Sequence, residues 1–135
     1  MTVHTTEIEV RFRDIDALGH VNNAVYATYI EQARTAYFRD VLDADLSRAS
    51  TVLASTSFDF RRSVELTDKT VTVKSVVDEI GRTSVSMSYE IRIGSDDGDL
   101  AAEAEATIVS LDPETGEPTP VPEPMRAKMT AYHDL

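Results

Sequence analysis

Within Asp14-Ile-Asp16-Ala-Leu-Gly19-His20-Val-Asn22-Asn23 the chain sets two carboxylates, an imidazole and two amides in one short run. Residues of these types can do nucleophilic or acid–base chemistry on a carbonyl. An aspartate, with a reference pKa of ~3.9, is ionised at neutral pH. It can attack a carbonyl carbon or take a proton from water. The residues after the run matter as much. Periodicity predicts a helix from Ala24, and the first N–H groups of a helix have no internal acceptor and carry about half a positive charge. They can receive a developing oxyanion. The same residues also suit an ordinary turn, because an aspartate before a helix commonly closes an Asx turn or sits as a surface charge favoured by the helix dipole. Residue types and spacing thus mark a candidate oxyanion site and leave both readings of Asp16 open.

The elements that would position this run can be read from hydrophobic period. Thr6–Phe12 alternates Ile8, Val10 and Phe12 against Glu7, Glu9 and Arg11, as a half-buried strand does. From Ala24 to about Asp40, Val25, Tyr29, Ile30, Ala33, Tyr37 and Val41 recur at three- and four-residue steps, predicting one long helix with Asn22 or Asn23 as its N-cap. Four further strands are expected, around Val52–Phe60, Val71–Gly81, Val85–Ile93 and Ala102–Ser110. Gly94-Ser-Asp-Asp-Gly98 is a hairpin turn between the last two. A Pro-rich connector over 113–124 leads to a short helix over Met125–Tyr132. The order β-α-β-β-β-β predicts an α+β domain spanning 1–135, with one antiparallel sheet curled around one helix. Such a sheet leaves an edge, which dimerisation would cover.

Composition narrows the function further. A chain of 135 residues builds one ordinary core. It has no cysteine, which removes disulfides, thiolate nucleophiles and Cys-ligated zinc. Its three histidines show no metal-ligand spacing, so no metal is expected. A net charge of −11 disfavours nucleic-acid binding. No apolar run is long enough for a membrane span, and Met1–Glu7 does not read as a secretory signal, so a cytoplasmic location is expected. With 24 acidic residues against 13 basic ones, the surface suits a protein kept soluble at high salt, where self-repulsion is screened. Unfolding measured against KCl tests this halophilic reading; full stability in dilute buffer counts against it.

The stretch Val10-Arg-Phe-Arg-Asp14-Ile-Asp16-Ala-Leu-Gly19-His20-Val-Asn22-Asn23-Ala-Val-Tyr26-Ala-Thr-Tyr29-Ile-Glu31-Gln-Ala-Arg34 resembles the signature of the 4-hydroxybenzoyl-CoA thioesterase family. The motif covers about 25 residues, and the element order matches over nearly the whole chain. The resemblance implies the hotdog fold, a long helix wrapped by a five-stranded antiparallel sheet. It also implies homodimers or homotetramers, an active site between subunits, and hydrolysis of an acyl-CoA without cofactor. It assigns Asp16 as nucleophile or general base and the Asn23 N–H as oxyanion donor. Gly19 permits the tight loop. His20 hydrogen-bonds near the thioester, orients Asn22, or is an ordinary satisfied loop histidine. Glu31 is the reserve catalytic carboxylate, since a related branch places its acid on this helix; as the plain alternative it pairs with a nearby arginine or is a polar side chain on the helix flank. Tyr26 is read as a core residue, with a place in the acyl tunnel as the lesser alternative, and Asp14 as structural. Arg61, Arg62 and Arg82 are candidate phosphate contacts for CoA, as is Lys74. Two rival functions stand beside this one: a hotdog hydratase or dehydratase, disfavoured because Ala24–Asp40 holds no histidine, and a non-enzymatic acyl-CoA-binding protein. The acidic surface favours CoA over an acidic carrier protein as the thiol.

Overall fold

A computed structural model describes residues 2–43 and 50–135 of the chain. The polar stretch expected after the long helix falls partly on 44–49, outside the described residues. The elements run β1 (His4–Glu9), α1 (Asn23–Leu42), β2 (Thr51–Phe60), β3 (Thr70–Ile80), β4 (Ser84–Ile93), β5 (Leu100–Ser110) and α2 (Glu123–His133). The strands form one antiparallel sheet in the order β1-β3-β4-β5-β2. This is the hotdog arrangement that the motif implied.

Alternation in the sequence sets the sheet's faces. Val85, Met87, Tyr89 and Ile91 of β4 are buried, while Ser84, Ser86, Ser88 and Glu90 between them are half-exposed. Ala102, Ala104 and Ala106 continue the buried face across β5, paired with Ile91, Tyr89 and Met87. Helix α1 lays Tyr26, Tyr29, Ile30, Ala33 and Tyr37 into the core. It rests mainly on β1 and β3, with α2 beside it. The β2 side of the sheet is left thinly covered.

Two expectations are corrected by local geometry. The first strand ends at Glu9, and Phe12 is 83% exposed although Ile8 and Val10 are buried. The cause is a 3-10 turn at Phe12–Asp14, in which Asp14 Oδ2 accepts the Arg11 N–H at 2.9 Å and bends the chain off the strand path. In β2, Val52, Ala54, Thr56, Phe58 and Phe60 do not share a buried face. A bulge between Leu53 and Ser55 breaks the period, so Val52 opposes Val109 on the outer side, whereas Thr56, Phe58 and Phe60 oppose the alanines of β5. Nearly all of this edge strand is exposed, including Val52, Leu53 and Phe60.

Candidate active site

The loop between β1 and α1 is a small hairpin in its own right. Asp16 N–H donates to the His20 carbonyl and Asn22 N–H to the Asp14 carbonyl, both at 2.9 Å, around an Ile15–Val21 bridge. The turn closes with Gly19 N–H on the Asp16 carbonyl at 3.1 Å. Gly19 has φ +90°, a conformation that glycine takes at little cost and other residues rarely adopt. The loop is tied to the body of the protein by Val21 N–H on the Val64 carbonyl at 2.8 Å. Val21 and Val64 are both fully buried.

This frame gives the two aspartates different environments. Asp14 Oδ2 accepts both the Arg11 N–H and the Tyr29 hydroxyl, the latter at 2.8 Å. It links the loop to the helix core, as its structural reading expected. Burial, reinforced by the neighbouring Asp14 carboxylate, pushes the Tyr29 phenol pKa well up, so it stays a donor. Among the described residues, Asp16 has a single side-chain hydrogen bond, from Leu18 N–H to Oδ1 at 2.9 Å. The Asx turn expected as the ordinary alternative is therefore present, and it uses one oxygen. The other, Oδ2, lies 3.7 Å from His20 Nδ1, beyond hydrogen-bonding distance, with the Asp16 side chain 24% exposed. A half-exposed carboxylate with one oxygen uncommitted is available for chemistry.

Asn22 is the N-cap of α1, its Oδ1 accepting the Ala24 N–H at 2.9 Å. Its side chain is thereby engaged with the helix. The Asn23 N–H, first in the helix, has no intrahelical acceptor by position. Tyr26, one turn on, is buried beneath it and meets the ring of Phe60 edge-on at 5.1 Å. Burial raises its pKa as well. Phe12 and Leu18, 83% and 80% exposed, flank the loop as bare apolar side chains, which a reading for charged and polar groups does not single out.

The description of the thioesterase-like superfamily matches residues 10–129, which includes this loop, the helix and the whole sheet except β1. The chain belongs to the thioesterase-like superfamily. Solved structures agree with this thioesterase-like assignment. A thioesterase from Thermus thermophilus, solved with coenzyme A and Zn, is 34% identical over 97% of this chain and 95% of that one, with a TM-score of 0.85. A "predicted thioesterase" from Bacillus stearothermophilus is 26% identical over 97% and 96% of the two chains, with a TM-score of 0.86. The DHNA-CoA thioesterase of Staphylococcus aureus, 24% identical over 89% and 81%, shares the fold at a TM-score of 0.76. The uncharacterized protein YsmA of Bacillus subtilis matches at 27% identity over 84 residues, 62% of this chain and 56% of that protein, so the match spans just over half that relative's length.

The remaining candidate residues of this thioesterase-like chain divide between the two ends of the sheet. Arg61 and Arg62 follow β2 directly, both donating backbone N–H groups to the Ala101 carbonyl, on the same end as the Asp16 loop. Their guanidinium groups are exposed and paired, Arg61 with Glu103 at 2.9 Å and Arg62 with Asp99. Arg82 lies in the β3–β4 turn at the opposite end, a strand length of about 35 Å away at the rise of extended chain. It cannot reach Asp16 of its own chain. Lys74, midway along β3, stands 4.0 Å from Glu90. Glu31 is exposed on α1, two turns or about 12 Å beyond Asn23. An open cavity of about 400 Å³, lined by Phe38, Leu42, Thr51, Pro122 and Met125 among others, also occupies the end away from Asp16.

Proposed function

We propose that this chain hydrolyses acyl-CoA thioesters to a carboxylic acid and CoA, with Asp16 as nucleophile or general base and the Asn23 N–H as oxyanion donor. Family membership and the likeness to a thioesterase that binds coenzyme A support the reaction class. One observation carries the residue assignment: Asp14 is tied into the fold, its Oδ2 accepting both the Arg11 N–H and the Tyr29 hydroxyl of α1, whereas Asp16 accepts only the Leu18 N–H of its own turn. As nucleophile, Asp16 attacks the thioester carbon and expels the CoA thiolate; water then cleaves the mixed anhydride. As base, it takes a proton from the water that attacks the same carbon. In both routes the carbonyl oxygen gains charge that the first-turn N–H and the helix dipole stabilise. His20, with Nδ1 3.7 Å from Asp16 Oδ2, borders the same site. Glu31 is kept in reserve, since an exposed carboxylate two turns along the helix serves only if the substrate extends that far. The proposed reaction draws on no cofactor.

The exposed β2 edge supports a homodimer. Val52, Leu53 and Phe60 lie bare beside unpaired backbone groups, a surface that a second copy would cover. Two-fold symmetry makes the joined strands antiparallel. The Phe60 end of one protomer, next to its Asp16 loop, then meets the Thr51 end of its partner. That pairing brings the apolar cavity of one chain toward the catalytic loop of the other, as an acyl pocket, and gives the partner's Arg82 end a route to a CoA phosphate alongside Arg61 and Arg62. Two such dimers joining would give the homotetramer form. No helix among the described residues is long and apolar enough to cross a membrane, and the reading locates the enzyme in the cytoplasm. Acyl-CoA turnover by Asp16→Asn tests the proposal. A loss of kcat of about 10²–10⁴-fold is expected, the range for removal of a positioned acid–base group. Near-normal kcat would remove Asp16 from the mechanism.

A further inference from the structure

The connector from β5 to α2 alternates in a way that shapes the cavity beside it. In Pro118-Thr-Pro-Val-Pro122 the prolines have no N–H. The N–H groups between them are spent, Thr119 on the Ser110 carbonyl at 2.9 Å and Val121 on the Arg82 carbonyl at 2.8 Å. This strap therefore offers pyrrolidine rings and no free N–H donor. Pro120 and Pro122 line the cavity from the strap, Phe38 and Leu42 from α1, and Met125 from α2, with Thr51 of β2 beside them.

The chemistry of this lining is selective. Among the described residues no lysine, arginine or histidine lines the cavity, and its one charged side chain is Asp112, whose Oδ1 accepts the Glu114 and Thr115 N–H groups at 2.8 and 3.1 Å. Lys128 stands close by but donates to the Leu42 carbonyl at 3.0 Å. The buried polar side-chain atoms without a partner among the described residues are His4 Nδ1, Thr6 Oγ1 and Ser75 Oγ; all belong to β1 and β3, and none lines the cavity. It thus holds neither a cation for a carboxylate nor a buried group left waiting for a polar substituent. A charged or polar group carried into it would give up water for no matching bond.

We propose that this cavity takes a straight, unsubstituted acyl chain of medium length and holds it for Asp16 of the partner subunit. The proposal rests on the thioesterase reading and the β2-edge dimer given above. The cavity measures about 400 Å³. At roughly 30 Å³ for a water-sized group such as a methylene, it has room for about six to ten carbons once its open mouth is discounted. Thr51 and Leu53 oppose the buried Ser110 and Ile108, so both lie on the helix side of β2 and lead from the cavity along the edge strand. The two-fold pairing sets that end of β2 against Phe60 of the partner subunit. Leu53 and Phe60 are exposed apolar side chains, which makes the path from the partner's Asp16 loop into the cavity apolar as well.

The test measures kcat/KM for straight-chain acyl-CoAs from acetyl to palmitoyl, with benzoyl-CoA and adipoyl-CoA beside them. Wild type should gain up to about fourfold for each added methylene, the worth of burying one CH₂, until the cavity is full. Met125→Trp should move the optimum to shorter chains, and Arg39→Gln, exposed on the same helix outside the cavity, should leave it in place. A mixed dimer of one Asp16→Asn chain and one Met125→Trp chain, isolated with two affinity tags, tells which subunit supplies the cavity. Its one intact Asp16 lies on the Met125→Trp chain, so a cavity lent by the partner gives the wild-type length profile. A shortened profile there overturns the assignment to the partner subunit. Should Met125→Trp fail to fold, the wild-type series still decides. Activity highest with acetyl-CoA, or benzoyl-CoA or adipoyl-CoA hydrolysed as well as octanoyl-CoA, overturns this inference alone. Hydrolysis of no thioester overturns the thioesterase reading and this inference with it.

Discussion

Titratable side chains gather at both ends of α1, and the two gatherings are built differently. At the C-terminal end, His4 Nε2 meets Asp40 Oδ2 at 2.9 Å, and His133 bridges the Tyr37 hydroxyl at 2.8 Å and the Thr2 carbonyl at 2.9 Å. The His133 and Tyr37 rings stack at 5.6 Å, with His4 and His133 themselves buried. These groups knit β1, α1, α2 and the N-terminal residues into one corner. At the N-terminal end, Asp14 is tied to Arg11 and Tyr29, but Asp16 and His20 remain half-exposed and lightly bonded. Polar residue density alone does not distinguish a site from a structural joint. Access does: His4 and His133 are closed off from solvent, although His4 Nδ1 has no partner there, whereas the Asp16 carboxylate is partly exposed and held only by its own turn.

The sharpest way to break this comparison is to exchange the roles of the two aspartates. Asp16→Asn should lose about 10²–10⁴-fold in kcat while its denaturation midpoint stays near that of wild type. Asp14→Ala should do the reverse. It strands the Arg11 N–H and the Tyr29 hydroxyl, each matched now by Asp14 Oδ2. Losing the carboxylate should cost about 2–3 kcal/mol, the upper range for hydrogen bonds to a charged acceptor. Urea unfolding should show a lower midpoint at unchanged slope. Asp14→Asn, which keeps a carbonyl acceptor, should lose less. If Asp14→Ala is as stable as wild type, the division of labour between the two residues is wrong.

How far the sequence could be read depended on range along the chain. The Asp14–Asn23 run was legible because a hairpin, a glycine turn and an N-cap are local devices, each closed within about ten residues. The buried faces of β4 and α1 were legible because periodicity reports burial directly. Phe12 was not, since the strand pattern continued one step past the point where Asp14 turns the chain. The β2 bulge escaped for the same reason: alternation carries no mark of an extra residue. Tyr29 fell on the apolar stripe of the helix and read as core, which hid its bond to Asp14, 15 residues away. The pairs His4–Asp40 and Tyr37–His133, 36 and 96 residues apart, carry no local signal. Nor did sequence separate Arg82 from Arg61 and Arg62, since the end of the sheet to which each belongs follows only from topology.

The smallest expected effect separates the closed corner from the site by pH. The Thr2 carbonyl can only accept, so His133 Nδ1 carries the proton and Nε2 receives the Tyr37 hydroxyl in the neutral ring. Burial holds the His133 pKa below its usual 6.5, aided by His4 and opposed by the Thr2 carbonyl and Asp78. The unfolded chain then binds more protons than the folded one at pH values between the folded pKa and about 6.5. Stability rises with pH across that window, is fully present above it, and is lost as pH falls through the folded value. Asp40, its pKa lowered by the hydrogen bond from His4 and then by Arg39, has the same sign but acts only below the carboxylate value of 3.8. From pH 5 upward Asp40 is ionised in both states, so the difference between wild type and His133→Gln in unfolding free energy, measured from pH 5 to 8, isolates His133. Exchange of less than one proton makes that difference shallow, with wild type gaining on the variant as pH rises. A difference that is flat across the range would show that His133 does not titrate with unfolding, and that the closed corner owes its stability to packing alone.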